Sequence, residues 1–275
     1  MDSLSRPVLA ATLLVASSCL RFTPFSTEPS ERDLTQKNLA RIAAQEQTLP
    51  FSFVALGDTH DGYDELSGTV KAINARNDIR FVVVAGDMSD RSLLGEFELT
   101  QARLGDIRVP VLTVIGNHDA IADGPEIYRK MYGPLNYTFS YAGTKFVMFN
   151  SNSLEFPHVA PDREWLTKET QSREGAERLI WVTHQPVYAP ADIPNGGSKE
   201  FYQQLLEAEP VDLVVHGHLL DYALGTYEGT TLLQCSTHEY SAVFTVVTVA
   251  ETSITFSRCH YDDCESVTPA SEMPE

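Results

Sequence analysis

Short apolar runs alternate with amphipathic stretches through the first half of the chain. Three mostly apolar runs have the pattern of strands buried on both faces of a parallel sheet: residues 51–56, 81–85 and 111–115. Two intervening stretches carry apolar residues at helical spacing: residues 64–77 and 93–104. This order predicts a βαβαβ unit at the start of an α/β domain.

The second half of the chain continues this pattern and then changes to a meander. Four strand-like runs come first: residues 137–141, 146–150, 179–183 and 213–215. Four more follow with short connections: residues 222–227, 230–234, 243–249 and 254–258. Helices are predicted over residues 162–172 and 199–206. We expect a folded domain over residues 50–260. A tail over residues 261–275 should fray in its last ten residues, which are rich in Ser, Pro and Glu.

The first 49 residues lie outside this domain. Residues 1–18 contain Arg6 and then an apolar stretch too short to cross a bilayer, which predicts a signal peptide. Cys19 follows small residues and resembles the lipidated cysteine of bacterial lipoproteins; the alternative is that it merely belongs to the apolar run. Residues 19–49 are predicted to form a linker and an N-terminal helix. We therefore expect an exported protein, periplasmic or on the outer surface, with membrane attachment through lipidated Cys19 as one alternative.

The composition narrows the classes of function. The 275 residues include 20 Lys and Arg against 38 Asp and Glu, for a net charge of −18. Hydrophobic residues make up 43%, which is typical of a globular protein and excludes a disordered chain. The acidic balance argues against binding to duplex nucleic acid, because phosphate backbones require clustered Lys and Arg.

The three remaining cysteines have different expected roles. Cys235 lies in an apolar run and is predicted to be buried. Cys259 and Cys264 are close enough in sequence to form a disulfide in an oxidising compartment. Two alternatives are a pair of reduced thiols and a metal knuckle, although these residues offer few ligands for a closed zinc site.

Polar clusters of the type that bind metals follow five apolar strands. Because the carboxyl ends of parallel strands meet at one edge of a sheet, these five loops should converge. Asp, Asn and His offer mixed oxygen and nitrogen ligands suited to Mn, Fe or Zn. Any one cluster alone fits a turn or a helix cap, but five in this order favour a metal site. The clusters are Gly57-Asp58-Thr59-His60, Gly86-Asp87-Met88-Ser89-Asp90-Arg91, Gly116-Asn117-His118-Asp119, Thr183-His184-Gln185 and His216-Gly217-His218.

Together these motifs resemble those of the calcineurin-like metallophosphoesterase superfamily, over about residues 51–249. The resemblance implies an α/β fold in which a two-sheet sandwich is flanked by helices. It also implies a centre with two divalent or trivalent metal ions, and hydrolysis of a phosphate-ester substrate by a metal-bound water.

The resemblance assigns ligands to each ion. Asp58 and His60 match ligands of the first metal, and Asp87 matches the carboxylate that bridges both metals. The second metal is matched by three residues: Asn117, His184 and His218.

The resemblance also assigns catalytic roles. His118 matches the histidine that acts as general acid at the leaving-group oxygen. Asp90 matches a carboxylate that orients this histidine, and Arg91 matches a residue that holds phosphate oxygens. Asp119 replaces a Glu found in some branches and is expected to be structural.

One departure from the family pattern concerns the first metal. The family usually ends in Gly-His-x-His, but here Leu220 stands at the position of the last ligand histidine. Asp221 is a possible replacement ligand, and His216 and His238 are others without motif support. The alternative function is therefore a catalytically impaired metal-binding or interaction protein that lacks a full first metal site.

Overall fold

Two six-stranded sheets form the centre of the protein in the computed structural model, which describes residues 26–188 and 198–273. The strands are β1 Phe51–Leu56, β2 Ile79–Val84, β3 Val111–Thr113, β4 Tyr137–Tyr141, β5 Thr144–Met148, β6 Arg178–Val182, β7 Leu213–His216, β8 Ala223–Tyr227, β9 Thr230–Gln234, β10 Val243–Val249, β11 Ile254–His260 and β12 Asp263–Val267. The helices are α1 Leu34–Ala43, α2 Tyr63–Asn74, α3 Leu94–Leu104, α4 Gly124–Met131, α5 Arg163–Gln171 and α6 Lys199–Ala208.

Each sheet has a parallel centre that carries the functional loops. The first sheet has the order β12-β11-β10-β1-β2-β3, and the second has the order β4-β5-β6-β7-β9-β8. Strands β1, β2 and β3 are parallel, as are β5, β6, β7 and β9, whereas β10 to β12 pair antiparallel. The expected two-sheet α/β sandwich is confirmed.

Aromatic side chains fill the space between the two sheets. Phe53 of β1 stacks on Phe81 of β2, with ring centroids 5.3 Å apart. Phe146 of β5 in the second sheet meets both rings edge-on at 5.5 and 5.3 Å. All three side chains are fully buried. Successive side chains of a strand point to opposite faces of the sheet. Val54, the residue after Phe53 in β1, therefore lies on the other face, where it packs with α2 and α3.

Helices cover the outer faces of the sandwich. Helix α2 overlaps the stretch with apolar residues at helical spacing, and it buries Leu66, Val70 and Ile73 against the first sheet. Leu166 of α5 and Leu205 of α6 pack against the second sheet. Asp162 begins α5 by accepting a hydrogen bond from the amide of Trp165, as expected of an N-cap residue.

The C-terminal region differs from its expected fraying. Strand β12 pairs antiparallel with β11, and a disulfide joins Cys259 to Cys264 across this hairpin. Further along, the amide of Met273 donates to the carbonyl of Thr226. The sheet therefore extends past residue 260, because backbone pairing stabilises a polar segment that shows no apolar alternation. Cys235 is buried, as predicted.

The N-terminal predictions are only partly within the described residues. Helix α1 lies within residues 19–49, where an N-terminal helix is predicted, and it contributes buried Leu34 and Ile42. The predicted signal peptide and Cys19 lie outside the described residues. In the part of the chain that is described, no helix has the length and apolar character needed to span a bilayer.

Candidate metal centre

The five polar loops converge at the carboxyl ends of the parallel strands. The loops after β1 and β2 are joined because the amides of Asp58 and His60 donate to the carbonyls of Gly86 and Asp87, both at 3.0 Å. The loops after β6 and β7 are joined by the amide of Gly217, which donates to the carbonyl of His184 at 3.0 Å. The predicted convergence therefore follows from main-chain contacts between neighbouring strand ends.

Asp58 is a buried carboxylate at the end of β1. Both of its oxygens accept from the amide of His218, at 2.9 and 3.0 Å. Gly217 makes this approach possible, because a Cβ at that position would lie 2.2 Å from Oδ2 of Asp58. Burial raises the pKa of Asp58 well above its usual value, and the nearby Asp87 adds to the effect. The loop after β7 is thus built around this carboxylate.

Asp87 lies close to three histidines: His60, His118 and His184. Its Oδ1 accepts from the amide of His118 at 2.9 Å, and its Oδ2 lies 3.2 Å from Nε2 of His184 and 3.6 Å from Nε2 of His60. Burial acts to raise the pKa of Asp87, but His184 and His60 outweigh it and leave the pKa lowered. Asp87 is therefore an ionised carboxylate that lies close to all three histidines.

The side chain of Asn117 connects the rings of His184 and His218. Its Oδ1 lies 2.8 Å from Nε2 of His184 and 2.8 Å from Nδ1 of His218. The other ring nitrogen of His184 donates to the carbonyl of Ala85 at 2.8 Å. Burial acts to lower the pKa of His184, but Asp87 and Asp58 raise the pKa to about 10. Both nitrogens of His184 face acceptors, so the metal-free protein holds this ring as an imidazolium.

The donor set fits metal cations. Asp58, His60 and Asp87 offer ligand atoms that lie within 4.8 Å of one another, and so do Asp87, His184 and His218. Asp58 and Asp87 are at most 2% exposed, yet among residues 26–188 and 198–273 no Lys or Arg pairs with either carboxylate. Buried carboxylates are normally paired or bound to a metal, and the partners of Asp87 here are histidines, which are themselves metal ligands. Two ligand sets that share Asp87 therefore match the predicted pair of sites.

His118, Asp90 and Arg91 lie beside this cluster. The side chain of His118 is 41% exposed, and its Nδ1 donates to the main-chain carbonyl of Asp90 at 2.8 Å. The carboxylate of Asp90 is farther away, with Oδ1 at 3.7 Å from the same nitrogen. Nη2 of Arg91 lies 3.0 Å from Oδ2 of Asp90. The main chain of residue 90, rather than its side chain, therefore makes the hydrogen bond to His118.

A sequence profile of the calcineurin-like phosphoesterase family matches residues 51–222. The chain belongs to this family. Among curated proteins, none matches the sequence.

Solved structures show that this chain shares its fold with several other proteins. The purple acid phosphatase PPD1 from yellow lupin (Lupinus luteus) seeds aligns with a TM-score of 0.65 at 16% identity, over 82% of this chain and 55% of that one. The chain thus spans about half the length of the lupin enzyme. GAP50, described as the anchor in the inner membrane complex of Plasmodium, aligns with a TM-score of 0.62 at 14% identity, over 81% and 90%. PhoD aligns with a TM-score of 0.56 at 8% identity, over 83% and 74%.

The position of the missing family histidine is anchored next to the first ligand set. Thr237 donates its amide to the carbonyl of Leu220 at 3.1 Å and its hydroxyl to the carbonyl of Asp58 at 3.1 Å. The side chain of Leu220 is 60% exposed. Asp221 is also exposed, and it lies outside the ligand clusters found among the described residues. The structure therefore does not bring Asp221 to the site.

The other two candidate histidines are buried apart from the ligand clusters of the described residues. Nδ1 of His216 donates to the carbonyl of Gly217 at 3.0 Å, and burial lowers the pKa of His216 to about 4. The ring of His238 lies 3.3 Å from the carbonyl of Gly57 and 3.3 Å from the hydroxyl of Thr69, and burial lowers its pKa to about 4 as well. The candidate first ligand set among the described residues thus consists of Asp58, His60 and Asp87.

Several supporting residues were not anticipated from the sequence. Thr237 links two loops of the site, and Asn152 donates to the carbonyl of Ile115, two residues before Asn117. Neither lies in a motif, so only three-dimensional proximity identifies it. Asp119 is structural, as expected: its carboxylate accepts from the amides of Ser89 and Gly116, and burial raises its pKa to about 6.

Proposed function

We propose that this chain hydrolyses phosphate esters with two metal ions, Mn, Fe or Zn, held on either side of Asp87. One observation carries the proposal: a buried, ionised carboxylate is shared by two ligand sets and has no Lys or Arg partner in the described part of the chain. Two cations about 3.5–4 Å apart are the usual arrangement for in-line displacement at phosphorus.

Each ligand set has a defined part in this proposal. Asp58 and His60 hold the first cation, and Asp87 is shared by both. When bound, the cations supply an activated water and offset the negative charge of the phosphate. The three remaining ligands hold the second cation: Asn117, His184 and His218.

The residues beside the cations act on the substrate. His118 is solvent-accessible and fixed at its main-chain amide by Asp87, so its Nε2 is free to donate a proton to the leaving-group oxygen. Arg91 has an exposed guanidinium that contacts Asp90 through Nη2, and its remaining N–H groups can bind phosphate oxygens.

A second candidate function is that of a metal-binding interaction protein. Two observations favour it: Leu220 leaves the first set with three ligands, and the similar fold of GAP50 belongs to a protein described as an anchor. A three-ligand site still suits catalysis, since catalytic metals commonly keep one open position. We therefore place hydrolysis first.

Metal analysis combined with an activity screen separates the two functions. The purified protein would be stripped with a chelator, reloaded with Mn²⁺, Fe²⁺ or Zn²⁺, and assayed with p-nitrophenyl phosphate and bis(p-nitrophenyl) phosphate. Hydrolysis that requires metal supports the proposal, and the ratio of the two rates assigns monoester or diester specificity. Stoichiometric metal without turnover of either ester would instead support the interaction protein.

We further propose export, with Cys19 as the lipid attachment site. The support is the sequence of residues 1–19 alone. Fractionation of cells that express the full chain or its Cys19→Ala variant tests this. The full chain should partition into membranes and the variant should not; equal distribution of the two would reject lipidation at Cys19.

A further inference from the structure

The two carboxylate oxygens of Asp90 have different surroundings. Oδ2 pairs with Arg91 at 3.0 Å. Oδ1 faces two imidazoles, at 3.8 Å from Nδ1 of His60 and 3.7 Å from Nδ1 of His118. Both distances exceed the range of a hydrogen bond. These two distances alone do not identify which ring Oδ1 orients.

His118 is already oriented without the carboxylate. Its Nδ1 has a partner in the main-chain carbonyl of Asp90 at 2.8 Å, its amide donates to Asp87 at 2.9 Å, and its own carbonyl accepts from the hydroxyl of Ser92 at 2.6 Å. Any residue at position 90 retains the first of these contacts, because it comes from the main chain.

His60 lacks such a partner. The residue is 7% exposed, and its Nε2 is directed toward Asp87. Its Nδ1 is buried and makes no hydrogen bond. Within the described ranges, Oδ1 of Asp90 is the only carboxylate oxygen closer than 4.0 Å to this nitrogen.

We propose that Asp90 orients His60 rather than His118. Its carboxylate accepts the Nδ1–H of His60, which leaves the lone pair on Nε2 directed at the first cation. Metal-binding histidines usually donate their second N–H to a carboxylate, which fixes the tautomer and makes the ligand more basic. Oδ1 and Nδ1 need to approach by only about 1 Å to form this bond.

This role has its largest consequence at the first ligand set. Leu220 leaves that set with three protein ligands, so the orientation of His60 decides a large share of its affinity. The second set contains no residue that contacts the Asp90 side chain in the described structure. The inference rests on the proposed function only where it concerns turnover; cation affinity is measured without substrate.

Asp90→Ala and Asp90→Asn test the inference. Stepwise Zn²⁺ affinities of each full-length protein would be measured by competition with a chromophoric chelator. We expect Asp90→Ala to weaken the looser Zn²⁺ about 10–100-fold and to leave the tighter one unchanged. Asp90→Asn should recover part of the loss, because the amide oxygen still accepts from Nδ1. Asp61→Ala is the matched control: it removes an exposed carboxylate next to His60 in sequence and should change neither affinity.

Kinetics then separate the two possible partners of Asp90. If Asp90 serves His60, Asp90→Ala raises the Zn²⁺ concentration needed for half-maximal activity, and saturating Zn²⁺ restores kcat. If it serves His118, kcat stays low at saturating Zn²⁺, and the deficit grows with the basicity of the leaving group. That second outcome, or unchanged Zn²⁺ affinity in Asp90→Ala, overturns the inference. If the protein hydrolyses nothing, the affinity measurement still decides the role of Asp90.

Discussion

Loading the metal-free protein with a divalent cation should release at least one proton per chain. In the proposed centre Nε2 of His184 binds the second cation, but in the metal-free protein this atom carries a proton toward Asn117 and Asp87. A cation and a proton cannot occupy the same lone pair. Metal binding therefore displaces the proton into the solvent.

The size of the effect follows from the pKa of His184. Asp87 and Asp58 outweigh the effect of burial and raise the pKa to about 10, so the ring is almost fully protonated at pH 7.5. We expect close to one proton from His184 at that pH. Affinity for the second cation should rise about tenfold per pH unit below pH 10, because each unit lowers the competing proton concentration tenfold.

Isothermal titration calorimetry in buffers of different ionisation enthalpy measures this number. At pH 7.5, the observed enthalpy plotted against the ionisation enthalpy of the buffer should have a slope of at least one proton released per chain. Asp87→Asn should reduce the release, since removal of this negative charge lowers the pKa of His184. A slope of zero in the unmodified protein would refute the assignment of His184 as a protonated ligand.

Three substitutions test the remaining assignments. His118→Ala should retain both cations but lower turnover about 10²–10⁴-fold on an alkyl phosphate, and less on an aryl phosphate, because it removes the general acid; equal rates on the alkyl ester would contradict this role. Gly217→Ala should lose the looser cation and destabilise the fold by about 1–3 kcal/mol, because its Cβ would lie 2.2 Å from Asp58. Chelator competition measures the cation affinity and thermal unfolding measures the stability; wild-type values in these two assays would exclude the close approach. Leu220→His should tighten the looser cation about 10-fold or more, since Thr237 holds residue 220 beside Asp58; unchanged affinity would show that a side chain at this position does not reach the first set.

The sequence predicts the strands well where apolar runs are long and bounded by turns. Strands β1, β4, β9 and β10 have the predicted bounds. Helix α4 was not predicted, because it is only eight residues long and begins with Gly124 and Pro125, although Pro is favoured in the first turn of a helix. Strand β12 has mostly exposed polar residues and depends on its pairing with β11. Its stability is a tertiary effect that no local pattern reveals.

The clustering of the candidate ligands could be predicted from the sequence, but the supporting contacts could not. The five loops converge as expected, because each strand end brings its ligands to the same edge. The hydrogen bond between His118 and Asp90 could not be foreseen in detail. The sequence does not show whether His118 contacts the main-chain carbonyl or the carboxylate of Asp90. The same applies to Thr237, which lies far along the chain from Asp58 and donates its hydroxyl to the carbonyl of that residue.

The central claim is that Asp87 is shared by two cations that support phosphate-ester hydrolysis. Metal content by mass spectrometry, measured with the rate of p-nitrophenyl phosphate hydrolysis for the unmodified protein and Asp87→Asn, tests it most directly. The substitution keeps an oxygen that can accept from the amide of His118, and it replaces the oxygen that faces His184 and His60 with an uncharged NH2 group. We predict two cations and metal-dependent turnover in the unmodified protein, and loss of at least one cation with nearly all activity in the variant. Equal metal content and equal rates in the two proteins would contradict the claim.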